Sequence, residues 1–564
     1  MLTYMDGGSI TWTIQTPDPI VVDRLQSELG CSQPIATILA NRGFTEPGVA
    51  EQFLQATVTD GHDPFLLPDL DVAIDRLIQA IEGEEVITVY ADRDIDGIAG
   101  AAILLRTCVN FGATVGYHVP GKYDKNGLRE GPIRKIAQRG TDLLLAVDCG
   151  TTNHHAVDEA NSAGMDVIIL DHHQPAETLP NALACVNPRR AESQYPHDAL
   201  SAGGVAFQTG RALIDTYEPV DGRAFTSYAT PLAALATVGD RARMTVENRG
   251  IVRSAFSAID QVPCSGIEAA VDFCDIQSIR DLGWELVPLL NAAQEDPDGD
   301  LLVELLLLKD KHRAAAILTQ LSTYREKIRE QRKSWVEVIN AAVADQCDVE
   351  QDPILFIELD EFVDGAARSR VAERFNKPLF VLRNRNNRYN GYGRSTVDVD
   401  LIELLHSCGD VLEKRWGHPG AAGFAVTSGD IGTVKERLVN ALLDRYDPTQ
   451  LQPRVEVDTT ITPSELTVNL VDEIEGLRPF GSGYPEPTFM IESLDLAGIE
   501  PLSVDSPHVR VQPVAALDVG FIMWNVGDDL GEFSVPDSYH LIGNIAWDSF
   551  EERPAFHIDQ LDPA

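Results

Sequence analysis

Lysine is scarce in this chain. Only 10 Lys stand beside 35 Arg, and these 45 cations face 87 Asp and Glu, for a formal net charge of −42. A disordered acidic tail would gather the acids in one block, whereas here they are spread through segments that also carry apolar periodicity. Dispersed acid with little lysine fits a folded protein of a salt-loaded cytoplasm, where self-repulsion is screened and charge aids solubility. The same balance argues against generic nucleic-acid affinity, so a binding groove has to be locally basic. Long apolar runs are missing too: no stretch reaches about 18 uninterrupted residues, so no membrane helix is expected. Asp6, Asp18 and Asp23 break the pattern of a signal peptide, and a soluble cytoplasmic protein is the expectation. The eight Cys form no C-x-x-C pair and no regular spacing, which points to reduced thiols rather than disulfides or a zinc site.

At 564 residues the chain exceeds one core, and three to five domains are expected. Residues 1–75 read as a small helical segment, with Ile35–Leu39 and Val49–Leu54 as amphipathic pieces. Across 76–265, short apolar runs at Val86–Tyr90, Val115–Val119, Leu143–Val147 and Val167–Leu170 alternate with helical patterns, and Gly100–Leu105 suits a crossover helix. That alternation predicts an α/β fold with a doubly wound parallel sheet. Residues 266–345 contain a Gly- and Pro-free stretch from Leu301 to Ala344, read as long connecting helices. A second α/β unit spans 346–447, with strands at Ile354–Ile357 and Pro378–Leu382. The rest, 448–564, alternates apolar and polar residues with frequent Gly and Pro, as a small β-barrel does.

Chemistry concentrates where the apolar runs end. Asp92, Asp94 and Asp96 follow the first run, Asp148 follows another, and Asp171-His172-His173 follows a third. In an open parallel sheet these positions converge on the crevice beyond the carboxyl ends of the strands. Asp240 closes the helical run Leu232–Gly239 and could present a fourth group. Such a set suits two divalent ions about 4 Å apart, which hold a phosphate and acidify a water. Asp94 and Asp96 could serve different ions with Asp148 bridging them. Carboxylates with an imidazole and no thiolate favour manganese or magnesium over zinc. Gly97 is read as room for a phosphate near a helix N-terminus. Asp-x-Asp alone is usually a turn or a solvated face. His154-His155 is such a bland pair, read as an exposed helix start without function. Repetition at three successive strand ends lifts the main set above that background.

These residues also carry a resemblance. Asp92-Arg93-Asp94-Ile95-Asp96-Gly97 resembles the Asp-x-Asp-x-Asp-Gly motif of the DHH phosphoesterase superfamily, and Asp171-His172-His173 its name-giving triplet. Val147–Gly150 and Thr237–Asp240 look like its second and fourth motifs. Trp416–Phe424, preceded by Gly391–Ser395, resembles the Gly-Gly-His-x-x-Ala-Ala-Gly signature of the DHH-associated domain. Pro479–Pro487 looks like the segment that opens the C-terminal domain of RecJ-type exonucleases, and the ordered match spans roughly Ile35 to Phe489.

The resemblance implies a DHH domain over 76–265, a helical connector over 266–345, a DHH-associated domain that grips nucleic acid over 346–447, and an OB-like barrel over 448–564. It implies two divalent cations, manganese ahead of magnesium, one held by Asp94 and Asp148, the other by Asp96, Asp148, His172 and Asp240. His173 would contact the scissile phosphate, Asp92 and Asp171 would support, and Arg394, Ser395 and His418 would grip phosphates of the strand. The activity implied is exonucleolytic hydrolysis of single-stranded DNA, in preference to RNA, from 5′ to 3′, with replication or repair proteins as partners and no membrane. A DHH nuclease acting on short RNA or oligonucleotides, with the 3′ to 5′ direction open to it, and a non-catalytic replication-helicase accessory factor are the alternatives. Arg93 stands where relatives commonly have Tyr, Arg241-Ala242-Arg243 replaces an apolar stretch, and Trp416 replaces the first Gly of its signature. Tyr90 stands where related pyrophosphatases carry a His ligand, which counts against that activity.

Overall fold

The computed structural model describes residues 11–217, 222–259, 262–395, 399–446, 454–503, 506–524, 526 and 537–564. The chain divides into two compact units, one of residues 42–326 with 475–486, the other of 1–41, 327–474 and 487–564. Among the described residues no helix is long and apolar enough to cross a membrane.

The unit of 42–326 is built on a five-stranded parallel sheet in the order Thr114–His118, Val86–Ala91, Leu143–Val147, Asp166–Leu170, Ala184–Val186. Parallel strands are covered on both faces, which is why these segments read as continuous apolar runs. Alternate residues serve the two sides. Ile87, Val89, Leu143, Leu145, Val147, Ile168 and Leu170 pack with helices Leu70–Glu82, Ile95–Asn110, Ala202–Tyr217 and Gly222–Gly239. Tyr90, Leu144, Ala146, Val167 and Ile169 pack with Glu130–Gln138 and His154–Ser162. The sheet is doubly wound, as expected. Its order reverses between Val86–Ala91 and Leu143–Val147, the switch point where ligands bind in open α/β sheets.

In the second unit a five-stranded mixed sheet runs Lys414–His418, Ala421–Thr427, Arg388–Arg394, Leu379–Arg385, Leu355–Glu358. The C-terminal strands Phe489–Pro501, Val509–Pro513, Gly520–Met523, Asp537–Asp548 and Arg553–Pro563 close a barrel in the order first, second, third, fifth, fourth, first. Only the third and fifth pair in parallel. This is an OB-like barrel. The Gly- and Pro-free stretch forms helices Leu301–Leu307 and Lys311–Gln346, the latter running from one unit into the other. The N-terminal region is not purely helical. Thr11–Ile14 pairs in parallel with Arg454–Val457, a partnership that no local pattern announces. Residues 475–486, which resemble a domain opening, pack with 42–326, and the buried Arg249 donates to the carbonyls of Leu477 (2.8 Å) and Pro479 (3.4 Å).

Candidate metal centre

Asp94 caps the helix Ile95–Asn110, its carboxylate accepting the amides of Asp96 (3.1 Å) and Gly97 (3.2 Å). Asp96 lies buried in the first turn and accepts the amides of Ala202 (2.9 Å) and Gly203 (2.7 Å), at the start of a second helix. Two helix N-termini thus favour negative charge at this carboxylate. Gly97 does not leave room for a phosphate. A side chain there would lie 2.5 Å from the Asp92 carbonyl oxygen, so the missing Cβ serves the tight turn between strand and helix.

Asp148 follows the strand Leu143–Val147 in a left-handed backbone conformation, φ 60°, uncommon for a residue with a side chain. It brings Asp148 Oδ1 to 3.3 Å from His172 Nε2 and 3.7 Å from His173 Nδ1. His172 Nε2 lies 3.5 Å from Asp96 Oδ2, and its Nδ1 lies 3.6 Å from Asp240 Oδ2. Asp171 sets the triplet. It accepts the amides of His172 (2.7 Å), His173 (3.1 Å) and Thr151 (3.1 Å), and bonds His173 Nδ1 at 2.8 Å.

The electrostatics divide the two imidazoles. Burial, followed by the neighbouring His173, pulls His172 down to about 4, so it is a neutral ring with one nitrogen lone pair to offer. The bond to Asp171 pushes the exposed His173 up to about 9 despite partial burial, which leaves a cation. Burial alone would raise Asp171, but the ring and charge of His173 and the amides outweigh it and hold it well below the usual carboxylate range. Asp96 and Asp148 are pushed well up by burial and then by their acidic neighbours, and Asp240 to about 6 by burial and Asp94. Two buried atoms, Asp148 Oδ1 and His172 Nδ1, have no hydrogen-bond partner among the described residues. Crowded carboxylates, a neutral imidazole and orphaned lone pairs fit divalent cations.

Asp92 lies beside this group, raised by burial, and its carboxylate accepts the amide of Arg93 (2.8 Å). His154 and His155 open a helix, as read. Arg394 ends its strand in the other unit, and the amide of Ser395 donates to the Gly420 carbonyl (3.1 Å) while its buried hydroxyl has no hydrogen-bond partner among the described residues. His418 lies exposed on the edge strand. Three of the departures, Arg93, Arg243 and Tyr90, have partners in the fold. Arg93 donates to the carbonyls of Gly121, Lys122 and Asp124 and ties down that loop. Arg243 pairs with Asp198 at 2.8 Å, Arg241 is exposed, and the Tyr90 hydroxyl donates to Gly127 (3.1 Å).

Sequence reasoning missed the framework behind Asp96. Glu247 is buried and accepts from Tyr195, Gln208 and His197, and Asn248 donates to the carbonyls of Ala199 (2.7 Å) and Arg243 (2.8 Å). Together they hold the loop that delivers the amides of Ala202 and Gly203. His62 lies in the same group, and its ring packs on Tyr195 and His197. Single polar residues spaced some 50 apart leave no local signal.

A doubly wound domain with acids and imidazoles at its switch point defines a class: residues 86–239 match the DHH family, N-terminal domain. Residues 457–559 match the RecJ OB domain. The chain is 29% identical over 565 residues to the single-stranded-DNA-specific exonuclease RecJ of Bacillus subtilis, covering 97% of this chain and 70% of that protein. Its fold matches the crystal structure of RecJ in complex with Mn2+ from Thermus thermophilus with a TM-score of 0.79, at 23% identity, over 98% of this chain and 80% of that one. A crystal structure of exonuclease RecJ bound to manganese matches with a TM-score of 0.56 at 27% identity, over 69% of this chain and 96% of that one.

Proposed function

We propose that this protein is a metal-dependent exonuclease that hydrolyses single-stranded DNA from the 5′ end. The observation that carries this is the convergence of Asp96, Asp148, His172 and Asp240 at the switch point, with Asp148 Oδ1 and His172 Nδ1 left without partners. A non-catalytic relative would have no reason to keep such close, costly carboxylates. Two cations are assigned, manganese ahead of magnesium: one on Asp94 and Asp148, the other on Asp96, Asp148, His172 and Asp240. Bound there, they supply positive charge against the phosphodiester and acidify the attacking water. His173, exposed and cationic, contacts the scissile phosphate and is oriented by Asp171. Asp92 supports the turn that carries the ligands.

In the domain of 346–447 Arg394, Ser395 and His418 take phosphates of the strand, and the barrel of 448–564 adds stacking and backbone contacts. Residues 76–265 form the catalytic domain, 266–345 the connector and 1–75 an N-terminal accessory segment. The physiological setting is DNA repair, recombination or replication in the cytoplasm of a salt-loaded cell, with proteins of those processes as partners. End-labelled DNA and RNA strands, supplied with manganese or magnesium, test the reading. Release of the 5′ label from DNA first supports it; no hydrolysis across metals and salts, or full activity in Asp148→Ala, removes it.

A further inference from the structure

Among the described residues, one helix covers part of one face of the mixed sheet in the second unit. Helix Gly365–Phe375 packs on Leu355, Ile357, Leu379 and Val381 through Ala367, Val371 and Ala372. Beyond it the same face continues with Tyr392, Gly423 and Trp416, aligned in one row across three strands. The Trp416 indole lies flat on this row. A Cβ at Gly423 would sit 2.5–2.7 Å from three of its ring atoms, so only glycine lets the ring rest on the sheet. Tyr392 meets the indole edge-on, with centroids 6.2 Å apart, and Arg368 sits over the Tyr392 ring, 5.4 Å from its centroid. Trp416 is nevertheless 37% exposed, on an edge strand whose five residues all face solvent, with Lys414 and His418 on the same side by alternation.

The cations here outnumber the acidic group beside them, Asp364. Arg368 is only 7% exposed, yet its Nε donates to a backbone carbonyl, that of Asp364 (3.2 Å), and Arg394 Nη1 donates to Gly393 (3.2 Å). The Asp364 carboxylate is taken by Arg332 (2.7 Å) and by the amide of Ala367 (2.7 Å). Among the described residues neither Arg368 nor Arg394 makes an ion pair with a carboxylate. In a chain of net charge −42, two adjacent unpaired guanidiniums beside an exposed indole complement a polyanion that carries aromatic rings.

We propose that Trp416, seated on Gly423 and Tyr392, is a base-stacking platform for a single-stranded nucleic acid whose backbone phosphate is held by Arg368 next to Arg394. This rests on the nuclease reading for the identity of the strand and adds to it a contact to the base. The test is fluorescence-anisotropy titration of the full-length protein, stripped of divalent ions with EDTA, against a labelled dT12 strand and a matched strand of abasic sugars. Trp416→Ala is expected to weaken dT12 binding about tenfold and to leave the abasic strand nearly unchanged, with Trp416→Phe retaining most of the affinity. Arg368→Gln should weaken both strands alike and lower the salt slope by about one. Trp284, 63% exposed in the connector 266–345, serves as control, and Trp284→Ala should bind as the parent does. Equal losses on dT12 and the abasic strand in Trp416→Ala, or no loss on either, or the same loss in Trp284→Ala, overturns the proposal. A parent protein that hydrolyses no strand but still shows the Trp416 effect sinks the nuclease reading alone. One that hydrolyses DNA without the Trp416 effect sinks the platform alone.

Discussion

Gly203→Ala separates the packing around the candidate metal centre from simple helix propensity, because the two predict opposite signs. Gly203 is the second residue of the helix Ala202–Tyr217, and alanine in a helix normally stabilises by up to about 1 kcal/mol over glycine. Here the added Cβ would approach the Ala236 methyl closer than 3.0 Å, whereas carbon atoms in good contact sit about 3.5–4.0 Å apart. The two helices must part by at least about 0.5–1 Å. Overpacking of that kind costs about 1–3 kcal/mol, for a net loss near 1–2 kcal/mol and a drop of a few degrees in the melting of this unit. The same shift moves the amides of Ala202 and Gly203, which hold Asp96 at 2.9 and 2.7 Å. If Asp96 is a metal ligand as proposed, displacing it by about 1 Å should cost on the order of 100-fold in rate. The assay pairs thermal melting with the release of labelled nucleotide from single-stranded DNA, alongside Gly432→Ala, where a Cβ meets open space. A Gly203→Ala protein that melts and cleaves like the parent would refute this account of how Asp96 is held.

Asp148→Asn, whose side chain tolerates the left-handed backbone, should abolish hydrolysis while making the metal-free protein more stable than the parent, since one of several crowded carboxylates is gone; melting with and without EDTA and manganese reads both effects. Asn248→Ala leaves the carbonyls of Ala199 and Arg243 without their donor and should cost about 2–4 kcal/mol, checked by urea unfolding. His118 is held below its ordinary pKa by burial and then by Arg139, so below about pH 6.5 the unfolded chain binds the extra proton and stability falls as pH drops. His118→Gln should flatten that slope by up to about 1.4 kcal/mol per pH unit, and an unchanged slope between pH 7 and 5 counts against it. With a net charge of −42, the melting temperature should climb from about 0.1 M to molar potassium chloride as repulsion is screened, and a maximum at low salt would dismiss the salt-adapted reading.

Much of the architecture was legible in the linear pattern, because burying both faces of a parallel sheet demands continuous apolar strands, as at Leu143–Val147. Strand ends were legible for the same reason, and with them Asp94, Asp96, Asp148 and Asp171-His172-His173, each placed by the strand or helix beside it. Tertiary structure alone decided the rest. Asp96 is aimed by amides more than 100 residues away, and Asp148 by a left-handed backbone conformation. The role of Gly97 could not be judged until the Asp92 carbonyl was known to press against it. Likewise Trp416 reads as a lone departure until strand register lays it over Gly423 beside Tyr392. Periodicity records which residues are buried; which distant groups meet depends on how the elements pack, and that information is not local in the chain.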